Sequence, residues 1–333
     1  MRFASAGLVA VAALLPATAA AQTSAQRPQI PLGLDLYRHV PDDNPLTRAK
    51  VALGRALFFD SLLSADRSLA CASCHQPRQA FTDGGAVSVG VFGRRGTRSV
   101  PTLVNRTYGA SFFWDGRTTS LETQVLMPIQ DPSEMAMTVD ELVERLNRHP
   151  EYPQLFRTAF GRALNREDLA RALASYVRTI LSGDAPIDRY MAGEFDALSE
   201  EAREGLRLFR GKANCTACHL GPNFTDERFH NTGIAWRDGV LSDSGRYVVT
   251  RTEEHLGAFK TPTLREIGRT APYMHDGSIA TLEEVIALYD RGGNPNPYRD
   301  PVLHPLHLSG AERAALLAFL RSLSGTIREG GPR

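Results

Sequence analysis

The chain is poor in cysteine and carries almost no net charge. Its 333 residues include only four cysteines, and the formal net charge is +1 at neutral pH. So few cysteines exclude a dense disulfide scaffold. A balanced charge gives no electrostatic reason to expect nucleic acid or an anionic membrane as a partner. No apolar run beyond the N-terminus approaches the roughly 20 residues that span a bilayer.

The N-terminus has the features of an export signal. Arg2 precedes the apolar run Leu8–Leu15, and small residues follow at Ala19–Ala21. Because this run is too short to cross a membrane, we interpret residues 1–21 as a cleaved secretory signal peptide rather than an anchor. Its removal takes away one arginine and no acidic residue, so the charges then balance. The sequence therefore predicts an exported protein, with the bacterial periplasm as its location.

All four cysteines lie in two copies of one motif, CASCH and CTACH. The first copy contains Cys71, Cys74 and His75, and the second contains Cys215, Cys218 and His219. Two thiols three positions apart can each add to a haem vinyl group, and the adjacent imidazole can bind the iron as its proximal ligand. We therefore predict two covalently bound haems c.

Paired cysteines have other common uses. Two C-x-x-C pairs can form a four-thiolate zinc site, and one pair can form a disulfide or a thioredoxin-like redox motif. Neither use explains the histidine that follows the second cysteine in both copies. Haem attachment also agrees with export, because haem c is attached outside the cytoplasm.

Apolar periodicity and capping residues predict a mainly α fold with weak strand signals. We expect helices over Leu46–Asp60, from Thr138, over about Arg166–Leu181 with Gly183 as cap, from Ser199 to about Arg210, from Thr281 to about Tyr289, and from Ser309 to a stop at Gly325. The Gly- and Arg-rich stretch Phe81–Thr102 is expected to be a long loop, of the kind that is usually functional or disordered.

A helix followed by a haem motif occurs twice. GRALFF precedes CASCH, and GLRLF with Gly211 precedes CTACH. This repetition predicts two cytochrome c-like domains in tandem. We place the first domain, with its haem, at residues 22–190 and the second at residues 191–333.

Nearly the whole chain, from about Asn44 to Gly325, resembles the bacterial di-haem cytochrome c peroxidase and MauG family. The stretches that carry the resemblance are LGRALFFD, CASCH, FFWDGR, LETQ, PIQDPSEM, CTACH, KTPTLREIGRTAPYMHDGS and TLEEVIALY. The resemblance implies that the N-terminal haem reacts with hydrogen peroxide and that the C-terminal haem relays electrons.

The resemblance also implies roles for five residues. The family's inter-haem tryptophan corresponds to Trp114, its distal-pocket glutamine to Gln124, its pocket proline to Pro128 and its catalytic glutamate to Glu134. His275 corresponds to a family histidine near the haems, with an expected supporting or proton-handling role. A placed carboxylate can take a proton from the near oxygen of peroxide and return it to the leaving oxygen, which is worth about 10²–10⁴-fold in rate.

Two positions depart from the typical peroxidase. Val91 stands where many members hold a removable histidine over the N-terminal iron, which implies that this iron keeps a free position at rest. Tyr289 stands at the place of the distal methionine of the C-terminal haem, as in MauG-type enzymes. A phenolate is a hard ligand that favours ferric or higher iron. Met274 is a rival ligand, and Tyr289 could instead belong to the core.

Two further positions concern a metal ion and a partner. The carbonyl donors of the family's calcium correspond to Thr270 and Pro272, but its asparagine ligand is replaced by Ser99, which leaves a calcium ion allowed without establishing it. Ala213 stands where MauG has the surface tryptophan that it uses on its protein partner, and Trp236 lies elsewhere. The resemblance therefore gives no reason to assume methylamine dehydrogenase as a partner.

Three functions remain in competition. The leading one is a periplasmic peroxidase that takes electrons from a small redox protein, either a cytochrome c or a cupredoxin. The second is a MauG-like enzyme that holds two oxidising equivalents across both haems and oxidises a residue of a partner protein. The third is a non-enzymatic carrier with two fully ligated haems. None of the three involves nucleic acid or a membrane span.

Overall fold

The structure is a computed structural model that describes residues 30–37, 39–237 and 239–330. The proposed signal peptide, residues 1–21, lies outside the described residues. The helices are α1 Arg48–Phe58, α2 Cys71–Cys74, α3 Leu121–Gln124, α4 Met127–Gln130, α5 Val139–Asn147, α6 Tyr152–Phe160, α7 Arg166–Val177, α8 Pro186–Met191, α9 Glu200–Arg210, α10 Tyr247–Thr250, α11 Leu282–Asp290 and α12 Gly310–Arg321. None of these described helices has the length and apolar character needed to cross a membrane.

The strands are short and form three antiparallel pairs. They are β1 Leu181–Gly183 with β6 Thr326–Arg328, β2 Phe229–His230 with β5 Phe259–Lys260, and β3 Trp236–Arg237 with β4 Val240–Leu241. The prediction of a mainly α fold is therefore confirmed.

Capping side chains begin the helices at the predicted positions. The hydroxyl of Thr138 accepts a hydrogen bond from the N–H of Glu141, and Ser199 begins α9 in the same way. Thr281 and Ser309 each form a reciprocal capping box with the glutamate three residues later. These hydrogen bonds satisfy N–H groups that have no partner inside the helix.

Two predicted helix ends are wrong. Helix α7 ends at Val177 rather than near Leu181, and Gly183 lies in strand β1 instead of capping the helix. Helix α12 ends at Arg321, so Gly325 does not stop it. Both helices end in ordinary right-handed geometry, which needs no glycine.

Each half of the chain has its own hydrophobic core, built around a pair of packed helices. Helix α1 packs against α7 in the first core, and α9 packs against α12 in the second. A glycine permits each crossing: an added Cβ on Gly54 would lie 1.9 Å from the carbonyl oxygen of Ala172, and one on Gly205 would lie 1.9 Å from that of Ala315. The same close backbone approach thus occurs in both halves.

The end of the described chain returns to the first half. Strand β6 pairs with β1, and the Arg328 guanidinium forms an ion pair of 2.5 Å with Asp184. The N–H of Gly330 donates to the Thr179 hydroxyl over 3.0 Å. The two halves are therefore joined by backbone hydrogen bonds as well as by the linking segment.

Candidate functional site

Both histidines of the haem motifs are oriented by a backbone carbonyl. Nδ1 of His75 lies 3.0 Å from the carbonyl oxygen of Phe81, and Nδ1 of His219 lies 3.0 Å from that of Phe224. A hydrogen on Nδ1 leaves the lone pair of Nε2 free for a metal, which is the usual arrangement of an iron-binding histidine. The two motifs thus present equivalent imidazoles.

The four cysteines lie next to these histidines, and no disulfide joins them. Within the described residues, one group of three potential metal ligands lies close together, and it consists of Cys218, Asp226 and His230. The four cysteine sulfurs are therefore not close enough together for a four-thiolate zinc site. Two separate thiol pairs, each with an oriented imidazole, fit two haems c.

A cavity of about 980 Å³ opens beside the first motif. Its walls include His75, Trp114, Gln124, Pro128 and Glu134. A narrower cavity of about 70 Å³ adjoins it and shares His75, Gln124, Pro128 and Glu134. The structure therefore brings the predicted peroxide-handling residues together beside the first proximal histidine.

Glu134 is held in a turn that follows α4. Its N–H donates to the carbonyl oxygen of Asp131 over 3.0 Å, and the side chain of Asp131 accepts hydrogen bonds from Ser133. Burial raises the pKa of Glu134 to about 7, with a further increase from the Asp131 carboxylate and an opposing effect from Arg117. A carboxyl with such a pKa can both accept and release a proton near neutral pH.

The loop expected after the first motif lies against this turn. Within the predicted loop Phe81–Thr102, the chain is irregular apart from the turn Val91–Gly93 and isolated bridges at Thr82 and between Val89 and Arg95. Val91 is buried, and its N–H donates to the carbonyl oxygen of Glu134 over 2.8 Å. Val91 is not among the described residues that line either cavity. Val91 therefore contacts Glu134 through its backbone and supplies no side-chain ligand for the iron.

Trp114 and His275 lie in the walls of both haem-motif cavities. The indole N–H of Trp114 donates to the carbonyl oxygen of Ser99 over 2.8 Å, and the N–H of Ser99 donates to that of His275 over 2.7 Å. The His275 ring stacks on Phe259 with centroids 3.6 Å apart. Burial lowers the pKa of His275 to about 4, so the imidazole is neutral at pH 7.

The cavity beside the second motif has a volume of about 200 Å³ and mainly apolar walls. Both rival ligands, Tyr289 from α11 and Met274, line it together with His219. Burial raises the pKa of Tyr289 above its usual range, and its hydroxyl has no hydrogen-bond partner among the described residues. Either side chain remains available to a metal, so Tyr289 stays a prediction.

The residues predicted to hold calcium also line the first cavity. Ser99, Thr270 and Pro272 all contribute to its wall. The structure places them near Trp114, which lines the same cavity. Their closeness is compatible with a carbonyl-rich cation site, and the calcium ion stays a prediction.

Sequence reasoning missed two charge networks around Trp114, one partly buried and one buried. Arg98 pairs with Asp115 at 2.6 Å and with Asp243 at 2.7 Å. The other network contains Arg106, Glu227 and Lys260, with distances of 2.9 and 3.4 Å to the glutamate. The signal for Lys260 was a lone charge in the otherwise uncharged stretch LGAFKTPTL.

Comparison with known proteins identifies the relatives of both halves. The family described as di-haem cytochrome c peroxidase matches residues 48–196, and the family described as cytochrome c matches residues 202–324. The methylamine utilization protein MauG of Methylorubrum extorquens is 42% identical over 85% of this chain and 80% of its own length. Cytochrome-c peroxidase IdrP1 of Denitromonas iodatirespirans is 41% identical over 96% of this chain and 92% of its own length.

Solved structures give the same result. The crystal structure of a MauG-like protein associated with microbial copper homeostasis matches with a TM-score of 0.82 and 33% identity, covering 88% of this chain and 95% of that protein. The di-haem peroxidase BthA of Burkholderia thailandensis matches with a TM-score of 0.72 over 90% of this chain and 93% of that protein. At 24% identity, the second match shows the fold alone.

Proposed function

Since this chain belongs to the di-haem cytochrome c peroxidase and MauG family, we propose that Glu134 and Gln124 act on hydrogen peroxide beside the N-terminal haem and that Trp114 links this site to the C-terminal haem. The chain is a peroxidase-type oxidoreductase with two covalently bound haems c. The observation that carries the proposal is the placement of Glu134, Gln124 and His75 in one cavity.

Each residue around the first cavity has a different proposed role in the cleavage of peroxide. When bound, the haem iron supplies a position for peroxide and accepts its oxidising equivalents. The Glu134 carboxylate takes a proton from the near oxygen and delivers it to the leaving oxygen, which departs as water. The Gln124 amide would hydrogen-bond the near oxygen of the peroxide, and Pro128 forms part of the wall of the same cavity. A Glu134 pKa of about 7 suits both directions of this proton transfer.

Trp114 is the proposed link between the two halves. It lines both cavities, and a hydrogen bond to Ser99 fixes its indole ring. An aromatic ring in this place shortens the distance that an electron must cross in one step. His275, whose ring stacks on Phe259, is neutral at pH 7 and adds no charge of its own to the walls of the two cavities.

Replacing Glu134 with glutamine tests the proposal. Rapid mixing of Glu134→Gln with hydrogen peroxide should show a reaction slower by about 10²–10⁴-fold, with both haems still attached. Glu167→Gln, an exposed change in the first turn of α7, is the matched control and should react like the wild type. An unchanged rate in Glu134→Gln would remove the carboxylate from the mechanism.

A second candidate is a MauG-like reaction on a partner protein. Tyr289 and Val91 favour it, because a phenolate favours oxidised iron and Val91 cannot ligate iron. Steady-state turnover with reduced cytochrome c or a reduced cupredoxin separates the candidates. Fast reaction with peroxide but no turnover would support oxidation of a partner. A ferric protein with only low-spin electron paramagnetic resonance signals would instead support a simple electron carrier.

The site of action is proposed to be the periplasm. The export features of residues 1–21 and the two haem c motifs support this location. N-terminal sequencing of the haem-loaded protein from a bacterial host should begin after about residue 21. An intact Met1 on haem-loaded protein would contradict cleavage.

A further inference from the structure

Three charged side chains form a buried cluster between the two halves. Arg106 comes from the first half, whereas Glu227 and Lys260 come from the second. Both terminal nitrogens of the Arg106 guanidinium contact the Glu227 carboxylate, at 2.9 and 3.1 Å. Nζ of Lys260 lies 3.4 Å from the same carboxylate. The side chains are only 9 to 11% exposed.

The cluster contains two cations and one anion. Glu227 is already committed to Arg106 and also accepts a hydrogen bond from the N–H of Ala110. The Lys260 ammonium has three hydrogens and one long contact, and no second partner among the described residues. A buried ammonium without a matching anion is strongly unfavourable. Burial and the Arg106 charge accordingly lower the pKa of Lys260 to about 7.

The partly buried Arg98 and the buried Lys50 differ in this respect. Arg98 has two carboxylate partners, Asp115 and Asp243. Lys50 donates to the side chain of Asn44 and to a carbonyl oxygen, and it lines neither of the two haem-motif cavities. Lys260 therefore combines a surplus of positive charge with a position in a cavity wall.

The surplus charge faces the haem sites. Lys260 lines both cavities, and Arg106 lines the one beside the first motif. The N–H of Lys260 also donates to the carbonyl oxygen of Trp114 over 2.8 Å, so its backbone position is fixed. The cavity that both cations share contains His75 and Cys74 of the first motif.

We propose that Nζ of Lys260, with Arg106 beside it, binds a propionate carboxylate of the N-terminal haem. Haem carries two propionates, and one of them brings the negative charge that this cluster lacks. The carboxylate completes the hydrogen bonding of the ammonium and keeps it charged at neutral pH. The assignment concerns how the cofactor is held and does not depend on the substrate.

The test is a redox titration of each haem in the haem-loaded protein at about pH 8, where an exposed propionate is ionised. A cation next to the haem favours the less positive ferrous iron. Lys260→Met should therefore lower the midpoint potential of the N-terminal haem, and Lys260→Arg should keep it close to wild type. Lys50→Met removes a buried lysine that lines neither cavity and should leave both potentials unchanged.

Two results would overturn the proposal. One is an N-terminal haem potential in Lys260→Met equal to that of the wild type. The other is a shift confined to the C-terminal haem. A crystal structure of the haem-loaded wild type gives an answer that needs no variant: Nζ should lie within about 3.2 Å of a propionate oxygen of the N-terminal haem. A separation beyond hydrogen-bond distance would also reject the assignment.

Discussion

Gly90 packs with its bare backbone against Ser133. An added Cβ on Gly90 would lie 2.0 Å from the Ser133 carbonyl oxygen and 2.6 Å from that of Glu134. The φ angle of Gly90 is −87°, which any residue adopts, so the requirement for glycine comes from space alone. Arg94 strengthens the contact by donating to the carbonyl oxygen of Pro132 over 2.9 Å. The loop thus holds the turn that presents Glu134.

Gly90→Ala should displace this turn and slow the reaction with peroxide. A misplacement of about 1 Å in a catalytic group can cost about 10²-fold in rate. We expect a 10- to 100-fold loss, roughly, by stopped-flow measurement, with both haems still attached.

Gly93→Ala is the matched control in the same loop. Its φ of +70° makes alanine strained, but the added Cβ meets nothing within 4 Å. A general loosening of the loop would affect both variants alike, whereas displacement of Glu134 affects only Gly90→Ala. Wild-type rates in Gly90→Ala would contradict the positioning role.

The rate of the peroxide reaction should depend on pH. Burial raises the pKa of Glu134 to about 7, and the deprotonated carboxylate is the form that accepts the peroxide proton. The rate should therefore be low in acid, rise with pH through about 7 and level off above it. In Glu134→Gln this rise should be absent. A wild-type rate that stays constant across this range would exclude Glu134 as the base.

Tyr289→Phe should change the ferric absorption and electron paramagnetic resonance spectra of the C-terminal haem. Removal of the hydroxyl removes the predicted oxygen ligand. Met274→Leu is the matched test of the rival, because both side chains line the same cavity. If Met274→Leu changes these spectra and Tyr289→Phe does not, the phenolate assignment is wrong.

Asp188→Ala should destabilise the protein strongly. Asp188 pairs with Arg265 at 2.6 Å, and the two side chains are 5% and 1% exposed. Loss of the carboxylate leaves a buried guanidinium without its anion, which costs about 3–5 kcal/mol in unfolding free energy. Denaturant unfolding of the haem-loaded protein, followed by far-ultraviolet circular dichroism, measures the change.

The matched control is Glu283→Ala, which breaks the exposed ion pair with Arg321. The two side chains are more than half exposed. Surface pairs of this kind are worth about 0–1 kcal/mol. Equal effects of Asp188→Ala and Glu283→Ala would show that the buried pair contributes no special stability.

Local patterns predicted the parts of the fold that depend on neighbours in sequence. Helices begin at Thr138, Ser199, Thr281 and Ser309 because each hydroxyl accepts a hydrogen bond from the N–H group three residues later, and this spacing can be read from the sequence. The CASCH and CTACH motifs are equally local. The ends at Val177 and Arg321 were missed because the chain after each helix is drawn into a contact with a distant segment.

The site was predictable only in part for the same reason. The resemblance named Trp114, Gln124 and Glu134, and the structure places all three in one cavity wall. The charge cluster of Arg106 and Lys260 depends on residues more than 100 positions apart in the chain, so no spacing rule shows it. The requirement for glycine at Gly90 depends on a contact with Ser133, 43 positions later in the chain, which no local pattern shows.

The pairing of β1 with β6 has a consequence for experiments that isolate one haem. A cut between residues 190 and 191 would leave Leu181–Gly183 on one fragment and Thr326–Arg328 on the other. The N-terminal fragment would expose an unpaired strand edge, and such edges promote aggregation. Two co-produced fragments, in contrast, would carry matching edges for reassembly. Single-haem versions of this protein are therefore better obtained by replacing one pair of haem-attaching cysteines in the intact chain.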